Sequence, residues 1–175
     1  MIDFSRSWFK TKSAIWLEEV DGVKIPNEQE ISQKLDDFKI KASKIDGISN
    51  VSTKADFDNY VFIIKLNYAN LKALNTVVNS INNQREQIHF SSNAKNFERI
   101  ASYPIPEKVV NDPKKKKDLE EASIIAIYTF DKDILSVNNA NSKISKNKKT
   151  VFLKQSMYSV LKKSTLMNNT IQLTP

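Results

Sequence analysis

Residues 46–82 read DGISNVSTKADFDNYVFIIKLNYANLKALNTVVNSIN, and the fold class turns on this stretch. Val51, Thr53, Ala55 and Phe57 alternate with Ser52, Lys54 and Asp56, the period of a strand with one face covered. In a second strand, Asn59 to Tyr68, the side chains of Tyr60, Phe62, Ile64, Leu66 and Tyr68 share one face. Val61 and Ile63 make its other face apolar in the first half, which predicts a central place in a sheet. Asp58-Asn59 supplies the turn, so the two strands form an antiparallel hairpin. At Asn70 the period changes. Leu71, Leu74, Val78 and Ile81 recur at helical spacing behind a suitable N-cap, which predicts a helix from Asn70 to Asn82.

Upstream lies a second amphipathic helix, Glu28 to Ile45. Asn27 and Glu30 have the spacing of a capping box, and Ile31, Leu35, Phe38, Ala42 and Ile45 form one apolar stripe. Asp46-Gly47 ends it, with Gly47 suited to a left-handed backbone. Residues 1–26 differ in kind. Phe4, Trp8, Phe9, Ile15, Trp16 and Leu17 are large and weakly periodic, and Ser5 is placed to cap a helix running to about Val20. This segment either docks on the core or binds a partner through Trp8, Phe9 and Trp16, aromatic anchors of the type that dominates interfaces.

Downstream, Ile88 and Phe90 open a strand, Ser91–Lys95 read as a turn, and Phe97–Ala101 are extended. His89 points away from its apolar neighbours, toward the surface. Tyr103–Pro106 is a stiff break, and Asp112-Pro113 starts a helix carrying Lys114–Lys117. Ser123–Phe130 is the most hydrophobic strand, with Ile124, Ala126, Tyr128 and Phe130 on one face and Ile125, Ile127 and Thr129 on the other. A hairpin around Lys146-Asn147-Lys148, a short helix at Met157–Leu161 and a last strand at Ile171–Leu173 complete the chain. Taken together this predicts an α+β fold: an antiparallel sheet with two amphipathic helices, ferredoxin-like, extended by a C-terminal β-hairpin region. Residues 27–175 form its single domain, preceded by the aromatic segment 1–26.

Composition narrows the function. With no cysteine, one histidine and two glycines among 175 residues, the chain cannot build a disulfide scaffold, a thiolate metal site, a paired-imidazole centre or a Gly-rich phosphate loop. No apolar run approaches the roughly 18 residues a membrane helix needs. Net charge is +7, but 24 of the 27 basic residues are lysine, which lacks the planar fork used for base edges and phosphates. Lysine and the 18 asparagines both rise in AT-rich genomes. Specific nucleic-acid binding is therefore not expected. The acidic pairs Asp56/Asp58 and Asp131/Asp133 lie at turns, where water keeps carboxylates ordinary, and no nucleophile or orienting acid accompanies His89. The reading is a protein without catalytic residues, cofactor or metal.

DGISNV (46–51), NYVFIIKLNYANLKALN (59–75) and ILSVNNANSKISKNKKTVFLK (134–154) resemble parts of uncharacterised bacterial envelope lipoproteins of the flavobacterial type. Those carry a GI-x-N turn, an aromatic strand leading into an N-x-x-x-LN helix start, and a late I-S-x-[DN]-x-K-x-V hairpin. IDFS (2–5) resembles the end of their first sheet strand. The resemblance implies a non-catalytic binding or structural module of the cell envelope, and it carries over no catalytic residue. Met1 is followed by IDFSRSWFK, without a secretory h-region or lipobox cysteine. The expected location is thus the envelope, periplasmic or outer-membrane-associated, if a leader is removed, with membrane attachment only through an anchor outside this chain. The alternative is a basic cytoplasmic protein that binds nucleic acid or another polyanion. A protein partner or self-association is the expected contact.

Overall fold

The computed structural model describes residues 19–20, 23–24, 27–58, 61–82, 86–101 and 113–175. Strands β1 (Glu19–Val20) and β2 (Val23–Lys24) form a small antiparallel pair. Val20 is therefore in a strand, and a helix from Ser5 does not reach it. Helix α1 spans Glu28–Ala42. Asn27 Oδ1 accepts the Glu30 N–H at 2.8 Å, and Glu30 accepts the Asn27 N–H at 2.9 Å. This capping box satisfies two backbone donors that a first turn leaves unpaired. The helix ends at Ala42, short of the expected Ile45, and the chain turns through Gly47 at φ +80°. A Cβ there would also stand 3.2 Å from the Ala73 Cβ, so both the backbone and the space favour glycine.

β3 (Ile48–Asp56) and β4 (Val61–Tyr68) pair antiparallel, with an irregularity between Ser49 and Ser52. Asn50 takes φ +53° at this bulge, a conformation asparagine tolerates far better than a branched residue. The extra residue switches the inward positions from Ile48 to Val51, Thr53 and Ala55, so that all four lie on the face of Tyr68, Ile64 and Phe62. Among the described residues β4 has β3 as its paired neighbour, not the central position expected. Asn59 of the expected turn lies outside the described residues.

Helix α2 (Leu71–Asn82) starts with Asn70 Oδ1 accepting the Ala73 N–H at 2.9 Å. β5 (Phe90–Ser92) and β6 (Asn96–Arg99) follow, the turn between them being tighter than the expected Ser91–Lys95. The Tyr103–Pro106 break lies outside the described residues. Helix α3 (Pro113–Glu121), with proline in its first turn, leads to β7 (Ser123–Thr129), β8 (Ile134–Val137), β9 (Ser142–Ile144) and β10 (Thr150–Ser156). Helix α4 (Met157–Lys162), a 3-10 turn (Ser164–Met167) and β11 (Asn169–Leu173) end the chain.

The fold is mixed α+β with antiparallel sheets. Among the described residues the strands fall into the pairs β1-β2 and β3-β4, a three-stranded sheet β7-β10-β9 and a four-stranded sheet β5-β6-β11-β8. The inner faces of the two larger sheets meet in the main core. There Phe97 lies 5.5 Å from the rings of both Tyr128 and Phe130, and Leu74, Phe90, Ile134, Val151 and Ile171 surround them. Leu153, Val160, Met167 and Ala101 form a second cluster. In a third, Ile48, Ala73 and Val77 are buried with Phe38, Ile45, Val51, Leu66 and Tyr68 packed against them. Helix α2 serves two clusters at once, through Leu74 on one side and Ala73 and Val77 on the other, so its apolar face is wider than the expected stripe. The C-terminal hairpin is no appendage. Val151 and Leu153 of β10 are fully buried, and β11 occupies the middle of the larger sheet.

Candidate binding face

A polar cluster is buried between α2 and the start of β5. His89, expected at the surface, is 0% exposed. Helix α2 presents Asn75 and Asn79 to it from successive turns. Asn75 Oδ1 accepts the backbone N–H groups of His89 and Phe90 at 3.0 and 2.9 Å, and its Nδ2 donates to the Phe90 carbonyl at 2.8 Å. Asn79 Nδ2 donates to the Gln87 carbonyl at 2.9 Å. Asn79 Oδ1 lies 2.8 Å from His89 Nε2, and since an amide oxygen only accepts, Nε2 carries the proton. His89 Nδ1 is then a bare acceptor, buried without a hydrogen-bond partner. Arg99 donates through Nη1 to the carbonyls of His89 and Ile100 at 3.0 and 2.8 Å and lies 4.6 Å over the Phe90 ring. Burial, and secondly the Arg99 charge, hold the His89 pKa below its ordinary value. The partners of this imidazole are amides. They tie α2 to β5 and offer no orienting carboxylate of the kind a general base uses.

The turn acids are at the surface. Asp131 and Asp133 are exposed. Lys149 Nζ lies 2.8 Å from Asp133 Oδ1 and donates to the Asp131 carbonyl. That hydrogen bond and charge lower the Asp133 pKa and fasten the β7–β8 turn to the β9–β10 hairpin. In α3, Lys116 stands 3.8 Å from Glu120, both half exposed. Lys116 and Lys162 both lie over the Tyr158 ring, at 5.6 and 4.5 Å, joining α3 to α4. Among the described residues no three of His, Cys, Asp and Glu are grouped to hold a metal ion. No described helix is long and apolar enough to cross a membrane. Trp8, Phe9 and Trp16 lie outside the described residues.

The charge is unevenly distributed. Residues 1–133 carry 20 basic and 20 acidic side chains, whereas residues 134–175 carry seven lysines and no acid. The whole net charge of +7 therefore belongs to the segment that forms β8 to β11. Register then fixes how β7, β9 and β10 present it. Phe152 pairs with Ile127 on one side and Lys143 on the other, and Lys154 pairs with Ile125. Directly opposed residues share a face, so these five side chains lie on the outer face of the three-stranded sheet, opposite the buried Val151, Leu153 and Tyr128. Phe152 is 42% exposed and Ile125 is 45% exposed. The next row along holds Thr129 and Thr150, whose hydroxyls are 3.2 Å apart. The result is an apolar strip with an aromatic centre, flanked by lysines, and the three strands that form it contain no acid.

Two signals for this face were present in the sequence. The second apolar side of β7, Ile125 and Ile127, was visible, and so was the absence of acids after Asp133. What was missing was the covering layer. Only the placement of the four-stranded sheet against Tyr128 and Val151 decides that the Ile125 side faces outward. The chain matches no known protein-family model, no curated protein and no solved structure.

Proposed function

We propose that this protein is a non-catalytic binding module of the bacterial cell envelope, working through the outer face of the β7-β10-β9 sheet. The observation that carries the reading is the exposure of Phe152 and Ile125 at diagonal positions on a regular sheet face whose charged members are lysines. Large apolar side chains grouped on a surface and rimmed by one charge are a common mark of a contact site. The envelope placement rests on the resemblance of DGISNV, NYVFIIKLNYANLKALN and ILSVNNANSKISKNKKTVFLK to envelope lipoproteins. The order α1-β3-β4-α2 supports a ferredoxin-like relationship, which a further strand beside β4 would complete. Fractionation of expressing cells tests the reading. The protein should travel with the envelope fraction, and Phe152→Ser should release it without changing its thermal unfolding. Wild-type protein in the cytosolic fraction, together with nucleic acid, would instead establish the cytoplasmic polyanion binder, which the lysine excess of residues 134–175 favours.

A further inference from the structure

We infer that the partner of the β7-β10-β9 outer face is the surface of an anionic phospholipid bilayer; the inference rests on the reading of that face as the binding site. Three features favour lipid. All seven charged residues of 134–175 are lysine. Lysine contributes a diffuse field to a charged layer and needs no directed fork, and each one near an anionic leaflet strengthens attachment about fivefold. The exposed apolar strip is mainly aliphatic, with Ile125 and Ile127 beside the single ring of Phe152. A single-strand platform stacks successive bases on successive aromatics, and isoleucine has no π face to offer. The interfacial hydrocarbon of a bilayer accepts both residue types. Third, the charged groups are placed around the strip. Lys143 is across from Phe152, Lys154 is across from Ile125, and Lys146 and Lys148 lie exposed in the adjoining hairpin turn. The exposed Asp133 does not cancel this field: it pairs with Lys149 and feels the charge of Lys148, both in the hairpin turn, while Lys143 and Lys154 stand on the strip itself. A three-stranded face set this way puts its apolar centre toward the acyl boundary and its lysines at headgroup level, the arrangement by which peripheral proteins combine insertion and attraction.

The test is cosedimentation of the full chain with vesicles of phosphatidylglycerol in phosphatidylcholine, and with vesicles of phosphatidylcholine alone. Binding should require phosphatidylglycerol and weaken as salt is added. Phe152→Ser should weaken it about tenfold, and Lys143→Gln with Lys154→Gln together about 25-fold. Both variants should stay folded: Phe152→Ser should unfold close to wild type, since that side chain is 42% exposed, and the lysine variant should be no less stable than wild type, since both lysines are exposed. Absence of binding to phosphatidylglycerol vesicles overturns the inference, as does equal binding by the variants. Tighter binding to a single-stranded oligonucleotide that displaces the vesicles also overturns it and gives the face to nucleic acid. If envelope fractionation succeeds and depends on Phe152 while vesicles do not bind, the face is a site but its partner is not lipid.

Discussion

Asn75 holds three backbone groups at the entrance to β5, and Asn79 holds one more together with the His89 ring. Asn139 donates to the carbonyls of Leu166 and Asn168, and Asn168 accepts the Ala101 N–H. Many of the asparagines that composition alone ascribes to genome bias therefore act as substitute peptide groups at joints between elements. Removing one leaves partly buried donors without partners, at about 1–3 kcal/mol for each such group. Asn75→Ala should cost about 2–4 kcal/mol, read as a lower urea midpoint at unchanged slope. His89 adds a dependence on pH. Its folded pKa lies below the unfolded value near 6.5, so above about 6.5 both states are neutral. As the pH falls below that, the unfolded chain takes up a proton that the buried ring resists, and stability declines by up to about 1.4 kcal/mol per pH unit. The stability difference between wild type and His89→Gln should be constant from about pH 8 to 7 and shrink from about pH 6.5 to 5. A difference unchanged across that range would mean that the imidazole is not held neutral.

Helix α1 starts where its sequence signals place it and ends three residues short of the expected Ile45, because the Asn27–Glu30 box and the stripe of Ile31, Leu35, Phe38 and Ala42 are local patterns. Its burial was not legible. Only Ala42 is fully covered, and Phe38 is half-buried against the third cluster. Phe38→Ala should therefore cost about 1–2 kcal/mol, below the 3–5 usual for an enclosed phenylalanine. Leu153→Ala, at a fully buried β10 position, should cost about 3–5 kcal/mol. Denaturant unfolding of the two variants ranks them, and a larger loss at Phe38 would place the core at α1. The same contrast explains what sequence could reveal of the sheets. Hairpins such as β3–β4 and β9–β10 join neighbours in the chain, and alternation with turn residues announces them. β11 pairs with β6, about 70 residues earlier, and with β8, and no local period encodes such a partner. His89 was misplaced for a related reason. Period-two alternation assigns faces within a strand, but Phe90 is where β5 starts, and the helix amides that enclose His89 belong to another element.

Across the whole molecule, a neutral body of residues 1–133 is joined to a segment with seven lysines and no acid. Such one-sided charge aids attraction to an anionic surface and works against the compact state through mutual repulsion. Lys143 and Lys154 flank Phe152 on one face. Held by register, they cannot spread apart in the folded protein as they can in the unfolded chain. Screening should then raise stability. Added sodium chloride in the sub-molar range should increase the unfolding midpoint of wild type, by the equivalent of a few tenths to about 1 kcal/mol. The Lys149–Asp133 contact works in the opposite sense, because salt weakens an exposed ion pair. The double variant Lys143→Gln, Lys154→Gln keeps that contact, so subtracting its salt response from that of wild type isolates the repulsion on the face. The variant should be the more stable protein at low salt, and the two should converge as salt rises. Parallel salt curves would mean that the lysines of the outer face do not sense one another. A wild type that is the more stable at low salt would mean that an anionic group of the protein already lies against that face.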